Sequence, residues 1–333
     1  MVLLWLKNFF SMRTHQTRVE FSLSDIAQLL SGVVQGSGIG PLMFLLYINE
    51  LIGILERHGI TVKVFADDVK MYLRVVNDID VKQLQSAIDS LLSWAELWQL
   101  GISVDKCCVL NLGTASISSN LTIYNETLPI VPNTRDLGIT VASNLSPALH
   151  INDIVSRAHK HAMLIYRTFE SHDVNLLVRA YKTYVRPLVE YNSVVWSPFN
   201  LQDIDAIESV QRRFTKRLPG LGLCPYRVRL QRLNIQSLEL RRLHSDLIWC
   251  YKIIFGLVDM DSCDFFTPCT VVSTRGHRYK VYKKSTSGVR SNFFCERVVN
   301  VWNKLTSHIN ISSIRTFKRS ISNSDFSAFL KRY

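Results

Sequence analysis

The sequence lacks the features that would indicate a secreted, membrane-spanning or zinc-binding protein. No uninterrupted apolar run reaches the roughly 18 residues that a membrane span needs. The apolar start, MVLLWLKNFF, has neither a basic beginning nor a small-residue cleavage site, so it is not read as a secretory signal. The seven cysteines form no C-x-x-C pair, and no histidine lies at zinc-finger spacing from them. Free thiols in a reducing compartment fit this pattern best, and we expect an intracellular protein of the nucleus or cytoplasm.

Acidic residues are scarce in the second half of this 333-residue chain. Residues 1–150 hold ten Lys and Arg against thirteen Asp and Glu, whereas residues 151–333 hold 29 against 14. The whole formal excess of +12 therefore lies in the second half. This asymmetry favours a polyanionic partner, most simply nucleic acid, although a solvated basic surface also explains it.

Two segments of the second half concentrate this positive charge. Residues 211–242 contain one acid, Glu239, and residues 275–290 contain none. Arg and Lys bind phosphates without choosing a sequence, and interleaved aromatic side chains can stack on unpaired bases. We therefore predict that nucleic acid contacts Arg212, Arg213, Lys216, Arg217, Arg275, Arg278, Lys280, Lys283 and Lys284.

The segment TVKVFADDVKMYL, residues 61–73, alternates in a way that predicts a β-hairpin. If Asp67 and Asp68 form a two-residue turn, one face of the ribbon is apolar and can pack on a core. An Asp pair in a turn often means turn chemistry alone. Two carboxylates at a fixed tip also repel each other, and a divalent cation such as Mg²⁺ would relieve that repulsion.

A glycine-rich loop, QGSGIGP at residues 35–41, precedes the hairpin and leads into an apolar helical pattern. Pro41 suits the first helical position, and Gly53 is the predicted helix end. The glycines allow a backbone to approach a ligand closely, although a simple helix entry explains them as well. A dinucleotide fingerprint fails because Pro41 occupies its third glycine position, and no Gly-Lys-Ser/Thr is present for a P-loop.

QGSGIGPLMFLLYIN followed by FADDVKMYL resembles the palm of reverse transcriptases from LINE-type non-LTR retrotransposons. Further segments are similar, in the same order, to the stretch before the loop, the lysine motif, the primer grip and the thumb: WLKNFFSMRTHQTRV, ISVDKCCVLNLG, TRDLGITVASNLS and YKTYVRPLVEYNSVVWSP. The resemblance implies an α+β fold: an incomplete palm with an antiparallel sheet and packed helices, then a helical thumb and a basic C-terminal segment. It also implies RNA-directed DNA polymerase activity in the full-length relative.

The resemblance divides the chain into four predicted parts. Residues 1–34 are a residual fingers and palm segment, and residues 35–148 are the palm with its Gly loop, Asp-Asp hairpin and primer-grip turn. Residues 149–255 are the helical thumb, and residues 256–333 are the basic C-terminal segment.

The resemblance also implies roles for individual residues. Asp67 matches a Mg²⁺ ligand, with Asp68 beside it, and Lys106 matches a lysine near the departing pyrophosphate, as general acid or charge stabiliser. The positions that match template and nucleotide contacts are Gln35, Gly36 and Phe65. The turn that matches the support of the primer end comprises Asp136, Leu137 and Gly138.

The implied partners are an RNA template, a DNA primer and dNTPs, with two Mg²⁺ ions as cofactors, no membrane and no evidence for an oligomer. The family's other metal-binding Asp, in the form Asp-x-x-x-Ala-Phe/Tyr-Asp, does not occur in this sequence and by the resemblance would precede Met1. We therefore expect a 5′-truncated product that is nearly or wholly inactive by itself. The alternative is a non-catalytic remnant that binds nucleic acid through its basic half.

Overall fold

The computed structural model describes residues 1–30, 32–34, 36–113, 120–269, 277–306 and 308–332. The chain divides into two compact units, Met1–Ile130 and Val131–Tyr333. Both units combine helices with short antiparallel strand pairs, which confirms the predicted α+β class. Among the helices in these described ranges, none is long and apolar enough to cross a membrane.

The first unit is a series of paired strands with helices between them. Each pair is antiparallel and two-stranded: β1 with β4, β2 with β3, β5 with β6, and β7 with β8. In chain order the elements are α1 (Val2–Phe10), β1 (Arg13–His15), β2 (Arg18–Val19), β3 (Ser22–Leu23), β4 (Ala27–Leu29), α2 (Gly40–Glu56), β5 (Thr61–Phe65), β6 (Asp68–Tyr72), α3 (Asp78–Leu97), β7 (Thr122–Ile123) and β8 (Glu126–Thr127).

The core of the first unit lies between α2, α3 and the apolar face of β5. Leu51 and Leu55 of α2 are buried together with Val62 of β5 and Leu91 of α3. Helix α2 runs through Gly53, where the sequence predicted its end, to Glu56. The prediction was wrong because the burial of Leu55 outweighs the roughly 1 kcal/mol that a glycine costs inside a helix.

Helix α3, Asp78–Leu97, places an apolar stripe on the core. Its first turn carries a capping box, in which the Asn77 side chain accepts hydrogen bonds from the backbone of Ile79 and Asp80. The Asp80 carboxylate accepts in return from the Asn77 backbone N–H at 3.0 Å. These bonds satisfy N–H groups that have no partner within the helix, and so they fix where α3 begins.

The second unit opens with one strand pair, and among its described residues the elements that follow are helices. The pair is β9 with β10, again antiparallel. In chain order the elements are β9 (Asn133–Asp136), β10 (Ile139–Ala142), α4 (Ala148–Thr168), α5 (Val174–Tyr184), α6 (Ser193–Trp196), α7 (Leu201–Lys216), α8 (Tyr226–Arg232), α9 (Leu238–Ile254), α10 (Ser262–Phe265), α11 (Phe294–Arg297), α12 (Val299–Asn303) and α13 (Ile314–Ser322).

Two hydrophobic clusters hold the second unit together. One joins α4, α5 and α7 around Phe214 and Tyr181, whose rings stack at 4.7 Å between centroids. The other surrounds Trp302 of α12, which is fully buried against Phe317 of α13 and residues of α9. Trp302 thus belongs to the core.

The buried carboxylate of Glu208 links three helices of this unit. Glu208 belongs to α7 and accepts a short hydrogen bond from the Tyr226 hydroxyl of α8. It also accepts from the backbone N–H groups of Leu238 and Glu239, both at 3.2 Å, at the start of α9. Burial raises the pKa of Glu208, against the lowering effect of these donors. One side chain therefore positions α8 and α9 relative to α7.

Candidate functional site

The predicted Asp-Asp hairpin forms, but its turn lies one residue earlier than expected. Strand β5 pairs with β6 so that Phe65 faces Asp68. The two-residue loop is therefore Ala66 and Asp67, and not Asp67 and Asp68. Asp67 lies at the apex and Asp68 opens the returning strand.

The turn holds a non-glycine residue in a backbone conformation that favours glycine. Ala66 has a φ of 52°, whereas Asp67 does not take a positive φ. A two-residue hairpin loop with positive φ at its first position alone has the pattern of a type II′ turn, which prefers Gly there. The site therefore stores backbone strain immediately before Asp67.

Below the turn, the ribbon has the two faces that the sequence predicted. Val62 is buried in the core, and Val64, Val69 and Met71 pack against that same cluster. The pairs Val62–Met71 and Val64–Val69 lie directly opposite each other across the ribbon. The apolar face thus fixes the hairpin on α2 and α3 and leaves its tip in solvent.

Both carboxylates at the tip are exposed. Carboxylate oxygens are the ligands that Mg²⁺ prefers, and Mg²⁺ is often held by one or two of them together with substrate phosphates. Asp67 and Asp68 therefore fit part of a site for a hard divalent cation. Across the described residues, no group of three or more His, Cys, Asp or Glu side chains could hold a metal ion. The described part of the chain thus offers the pair without a further carboxylate.

The Ser37 side chain connects the glycine loop to the start of α2 through hydrogen bonds. The Ser37 hydroxyl donates to the Val34 carbonyl oxygen at 2.7 Å and accepts from the Gly40 backbone N–H at 3.1 Å. Gly36 is exposed with a φ of 81°, and open space surrounds the position of a Cβ there. Gln35 lies outside the described residues. The loop therefore presents exposed backbone at Gly36 on a defined helix entry.

Two other predicted site residues of the first unit are accessible. Phe65 is exposed on the ribbon beside the tip, directly opposite Asp68. Lys106 ends a short 3₁₀ turn, Val104–Lys106, and is also exposed. Their accessibility suits contact with a ligand, and their roles stay predictions.

The predicted primer-grip turn is the loop of the β9–β10 hairpin. Asp136 pairs with Ile139, so Leu137 and Gly138 form a two-residue loop. Their φ values of 45° and 85° have the pattern of a type I′ turn. The Tyr191 hydroxyl donates to the Leu137 carbonyl oxygen at 3.2 Å. This turn belongs to the second unit and the Asp-Asp hairpin to the first, so their joint role stays a prediction.

At the basic end of α7, some cationic side chains are exposed and one forms contacts within the protein. Arg213, Lys216 and Arg217 are exposed. Arg212 instead forms an ion pair with Asp205 at 3.5 Å, and its guanidinium lies 5.6 Å from the ring centre of Tyr226. The structure therefore leaves three of the four predicted residues at the end of α7 accessible to a polyanion.

The second predicted basic segment is partly engaged in local contacts. Arg278 is exposed and lies 5.2 Å from the ring centre of Tyr279. The Lys283 ammonium donates to the Glu296 carbonyl oxygen at 2.6 Å. Lys284 is exposed, whereas Lys280 is half-buried. Arg275 lies outside the described residues.

The sequence did not reveal that two arginines of the first basic segment are buried. Arg229 is 4% exposed, and its guanidinium donates to Thr215 at 3.1 Å and to the Arg212 carbonyl oxygen at 3.2 Å. Arg242 is also 4% exposed. The available signal was its spacing on α9, four residues after Leu238 and four before Asp246, on the buried face of the helix.

Comparison with known proteins shows which family the first part of the chain resembles. The family model for reverse transcriptase (RNA-dependent DNA polymerase) matches residues 2–141, which include the glycine loop and the Asp-Asp hairpin. These residues are thus similar to a reverse transcriptase segment, and reverse transcriptases in general use divalent metal ions, an RNA template and nucleotides. No solved structure matches the chain.

Similar curated proteins include two from mobile elements of Drosophila melanogaster. The RNA-directed DNA polymerase from the mobile element jockey is 22% identical over 230 residues, 64% of this chain and 24% of that protein. The probable RNA-directed DNA polymerase from transposon X-element is 26% identical over 230 residues, 65% of this chain and 24% of that protein. The chain thus spans about a quarter of the length of these relatives. The resemblance to LINE-type non-LTR reverse transcriptases is confirmed.

Proposed function

We propose that the first unit carries the metal-binding hairpin of a Mg²⁺-dependent RNA-directed DNA polymerase. The observation that supports this is the exposed pair Asp67 and Asp68 on a packed ribbon, within the segment that matches the reverse transcriptase family. The proposed substrates are dNTPs, which extend a DNA primer on an RNA template. We propose that the protein acts in the nucleus or the cytoplasm, where such substrates occur.

The proposed roles follow from the chemistry of each exposed group. Asp67 and Asp68 would hold Mg²⁺, which would supply neutralisation of the negative charge that develops during nucleotidyl transfer. Lys106 offsets negative charge on the departing pyrophosphate. Template and incoming nucleotide lie along Gln35, Gly36 and Phe65, and the primer end rests on the turn formed by Asp136, Leu137 and Gly138.

This chain by itself is expected to extend primers weakly or not at all. Mg²⁺ demands nearly octahedral oxygen coordination, and two carboxylates leave most positions to water and substrate. In the described ranges no third acidic side chain joins the pair. Robust Mg²⁺-dependent synthesis by the purified chain, lost in Asp67→Ala, would contradict this expectation while supporting the metal site.

A direct measurement of metal binding tests the hairpin without requiring activity. Mn²⁺ serves as the probe, titrated calorimetrically into the full chain and into Asp67→Asn. Loss of one charged ligand is expected to weaken binding by roughly tenfold or more. Asp25→Asn is the matched control, because Asp25 is an exposed carboxylate of the same unit away from the hairpin. Equal affinity of the wild type and Asp67→Asn would remove the support for the metal site.

Nucleic-acid binding by the second unit is a separate candidate function. It is favoured by the exposed cations Arg213 and Lys216 at the end of α7. Because phosphate neutralisation releases counterions, the affinity for single-stranded RNA is expected to fall as salt rises. The double variant Arg213→Ala/Lys216→Ala is expected to lower the slope of log affinity against log salt by about 1 to 2.

The control for this experiment is Arg315→Ala/Arg319→Ala, which removes two exposed arginines from α13 of the same unit. Both double variants remove the same charge, so a site on α7 predicts a loss in the first and nearly unchanged binding in the second. Equal losses would indicate attraction by net charge alone. An RNA affinity that does not change with salt concentration would exclude the phosphate-contact mechanism.

A further inference from the structure

A polar cavity of about 370 Å³ lies between α6, α9 and α13 of the second unit. Its base contains the buried side chains of Arg242 and His244. Its rim contains Lys318 and Ser322, both exposed on α13. The cavity thus connects a buried arginine with solvent.

The guanidinium of Arg242 has no hydrogen-bond partner for either terminal nitrogen. Both Nη atoms are buried, and so is Nε2 of His244, which likewise has no partner. A buried donor without an acceptor costs about 1–3 kcal/mol, and more when it carries charge. Native interiors satisfy nearly all such groups with protein, water or a ligand. An acceptor is therefore expected inside this cavity.

Glu190, the carboxylate that lines the cavity, is already engaged by two other arginines. Arg241 donates to it through Nη2 at 2.9 Å and through Nε. Arg186 forms a second ion pair with it at 3.6 Å. The negative charge of Glu190 is thus compensated without Arg242.

The other acids near Arg242 are Glu208, whose donors are described above, and Asp246 and Glu239, which also have their own donors. Asp246 accepts both arms of the Arg297 guanidinium at 2.8 Å. Glu239 accepts from the backbone N–H groups of Lys331 at 2.7 Å and Arg332 at 3.1 Å. These carboxylates act on Arg242 electrostatically, but none of them accepts a hydrogen bond from its Nη atoms.

The charge of the lining favours an anion with several acceptor oxygens. The lining residues include three cationic side chains, Arg241, Arg242 and Lys318, and one carboxylate, Glu190, which is paired with Arg241 and leaves Arg242 and Lys318 for a ligand. A guanidinium donates two parallel hydrogen bonds to a pair of phosphate oxygens, and a lysine ammonium attracts a phosphate as a point charge. The volume is several times the roughly 30 Å³ of one water molecule, so a polyatomic anion can enter.

We propose that this cavity binds a phosphate group, held by Arg242 at its base and by Lys318 at its rim. The phosphate can belong to a small molecule or to the backbone of a nucleic acid. The proposal goes beyond polymerase chemistry, because it does not depend on the metal site at Asp67.

The primary test measures inorganic phosphate binding to the full chain by calorimetry at constant ionic strength, with chloride as the reference anion. We expect one saturable site. Lys318→Ala is expected to weaken binding by about 2- to 5-fold, as for an exposed charge contact. Arg319→Ala, the adjacent exposed cation outside the cavity lining, is the matched control and is expected to change affinity less than 2-fold.

Arg242→Gln tests the base of the cavity and is expected to weaken binding by about tenfold or more, because it removes a charged donor. Its folding is checked by circular dichroism, and the exposed Lys318 variant keeps the test decisive if Arg242→Gln does not fold. Absence of a saturable site, or equal losses in Lys318→Ala and Arg319→Ala, would overturn the proposal. Either result would indicate a water-filled cavity or a diffuse basic surface.

A competition experiment distinguishes the two sources of phosphate. A ten-nucleotide single-stranded RNA is added to the phosphate-saturated chain, and phosphate release is followed by ³¹P NMR. Phosphate release that is seen with the wild type and lost in Lys318→Ala would support a nucleic-acid backbone as the natural source of the bound phosphate. RNA binding without release would support a small phosphorylated molecule. Because neither measurement uses Mg²⁺ or primer extension, failure here is separate from failure of the polymerase proposal.

Discussion

Replacing Ala66 by glycine is predicted to stabilise the Asp-Asp hairpin. Ala66 has a φ of 52°, and a side chain in the left-handed region costs roughly 1–2 kcal/mol. Glycine removes this cost but loses more backbone entropy on folding, which offsets about 0.5–1 kcal/mol. The net expectation for Ala66→Gly is a gain of about 0.5–1 kcal/mol in the local opening free energy of the hairpin.

Native-state hydrogen exchange measures this local free energy directly. The reporters are the amides of β5 and β6, which exchange when the ribbon opens. Ala27→Gly is the control, because Ala27 is an exposed strand residue of the same unit without a positive φ. There glycine is expected to cost about 0.5–1 kcal/mol in the amides of its own strand pair. Slower exchange in Ala66→Gly and faster exchange in Ala27→Gly together support the reasoning. A loss of protection in both variants would refute the strained turn.

Two further predictions concern buried charges in the second unit. Asp246→Asn removes the charge opposite Arg297 and is expected to lower the free energy of unfolding by about 3 kcal/mol in urea, whereas Asp153→Asn at an exposed pair should cost less than about 1 kcal/mol. Equal losses would contradict the role of burial. Burial lowers the pKa of His244 from 6.5 to about 4. As the pH falls, His244 therefore takes up its proton at a higher pH in the unfolded chain than in the folded chain. The free energy of unfolding should fall by roughly 3 kcal/mol as the pH drops from 6.5 to 4. Denaturation at several pH values should show a shallower fall in His244→Gln, and an unchanged slope would contradict the assignment.

The hairpin shows what an alternating pattern can and cannot predict. The predicted turn paired Val64 with Met71, whereas the structure pairs Val64 with Val69. The two registers differ by two residues along one strand, so every side chain keeps its face. Alternation therefore predicted the apolar face correctly and could not choose between the registers. That choice depends on the turn, which contains an alanine in a conformation that sequence preference disfavours.

Local signals specify the start of helix α3 better than the end of α2. Asn77 and Asp80 supply a capping box, which acts within a few residues and is visible in the sequence. The end of α2 depends instead on Leu55, whose burial is a tertiary contact. A glycine at 53 suggested an earlier stop, because propensity is a weak guide where packing decides.

The candidate site was predicted in its parts and not in its assembly. The exposed Asp67 and Asp68 follow from a motif that the family resemblance identifies. The buried Arg242 does not follow from the count of basic residues, which treats all cations of a segment as alike. Its environment depends on acids from distant parts of the chain, such as Glu190, which pairs with Arg241 instead. Charge density thus predicts a basic region, and packing determines which charges reach the surface.

The three-way contact of Glu208 has an evolutionary consequence. Its carboxylate accepts hydrogen bonds from the Tyr226 hydroxyl of α8 and from two backbone N–H groups in the first turn of α9. A shorter side chain at position 208 would leave all three donors unsatisfied. Descendants of this sequence should therefore change positions 208 and 226 in step, for example to a Gln–Phe combination, which keeps an acceptor for α9, and seldom one alone. An alignment of close copies of the element would reveal this joint inheritance as paired substitutions at two positions eighteen residues apart.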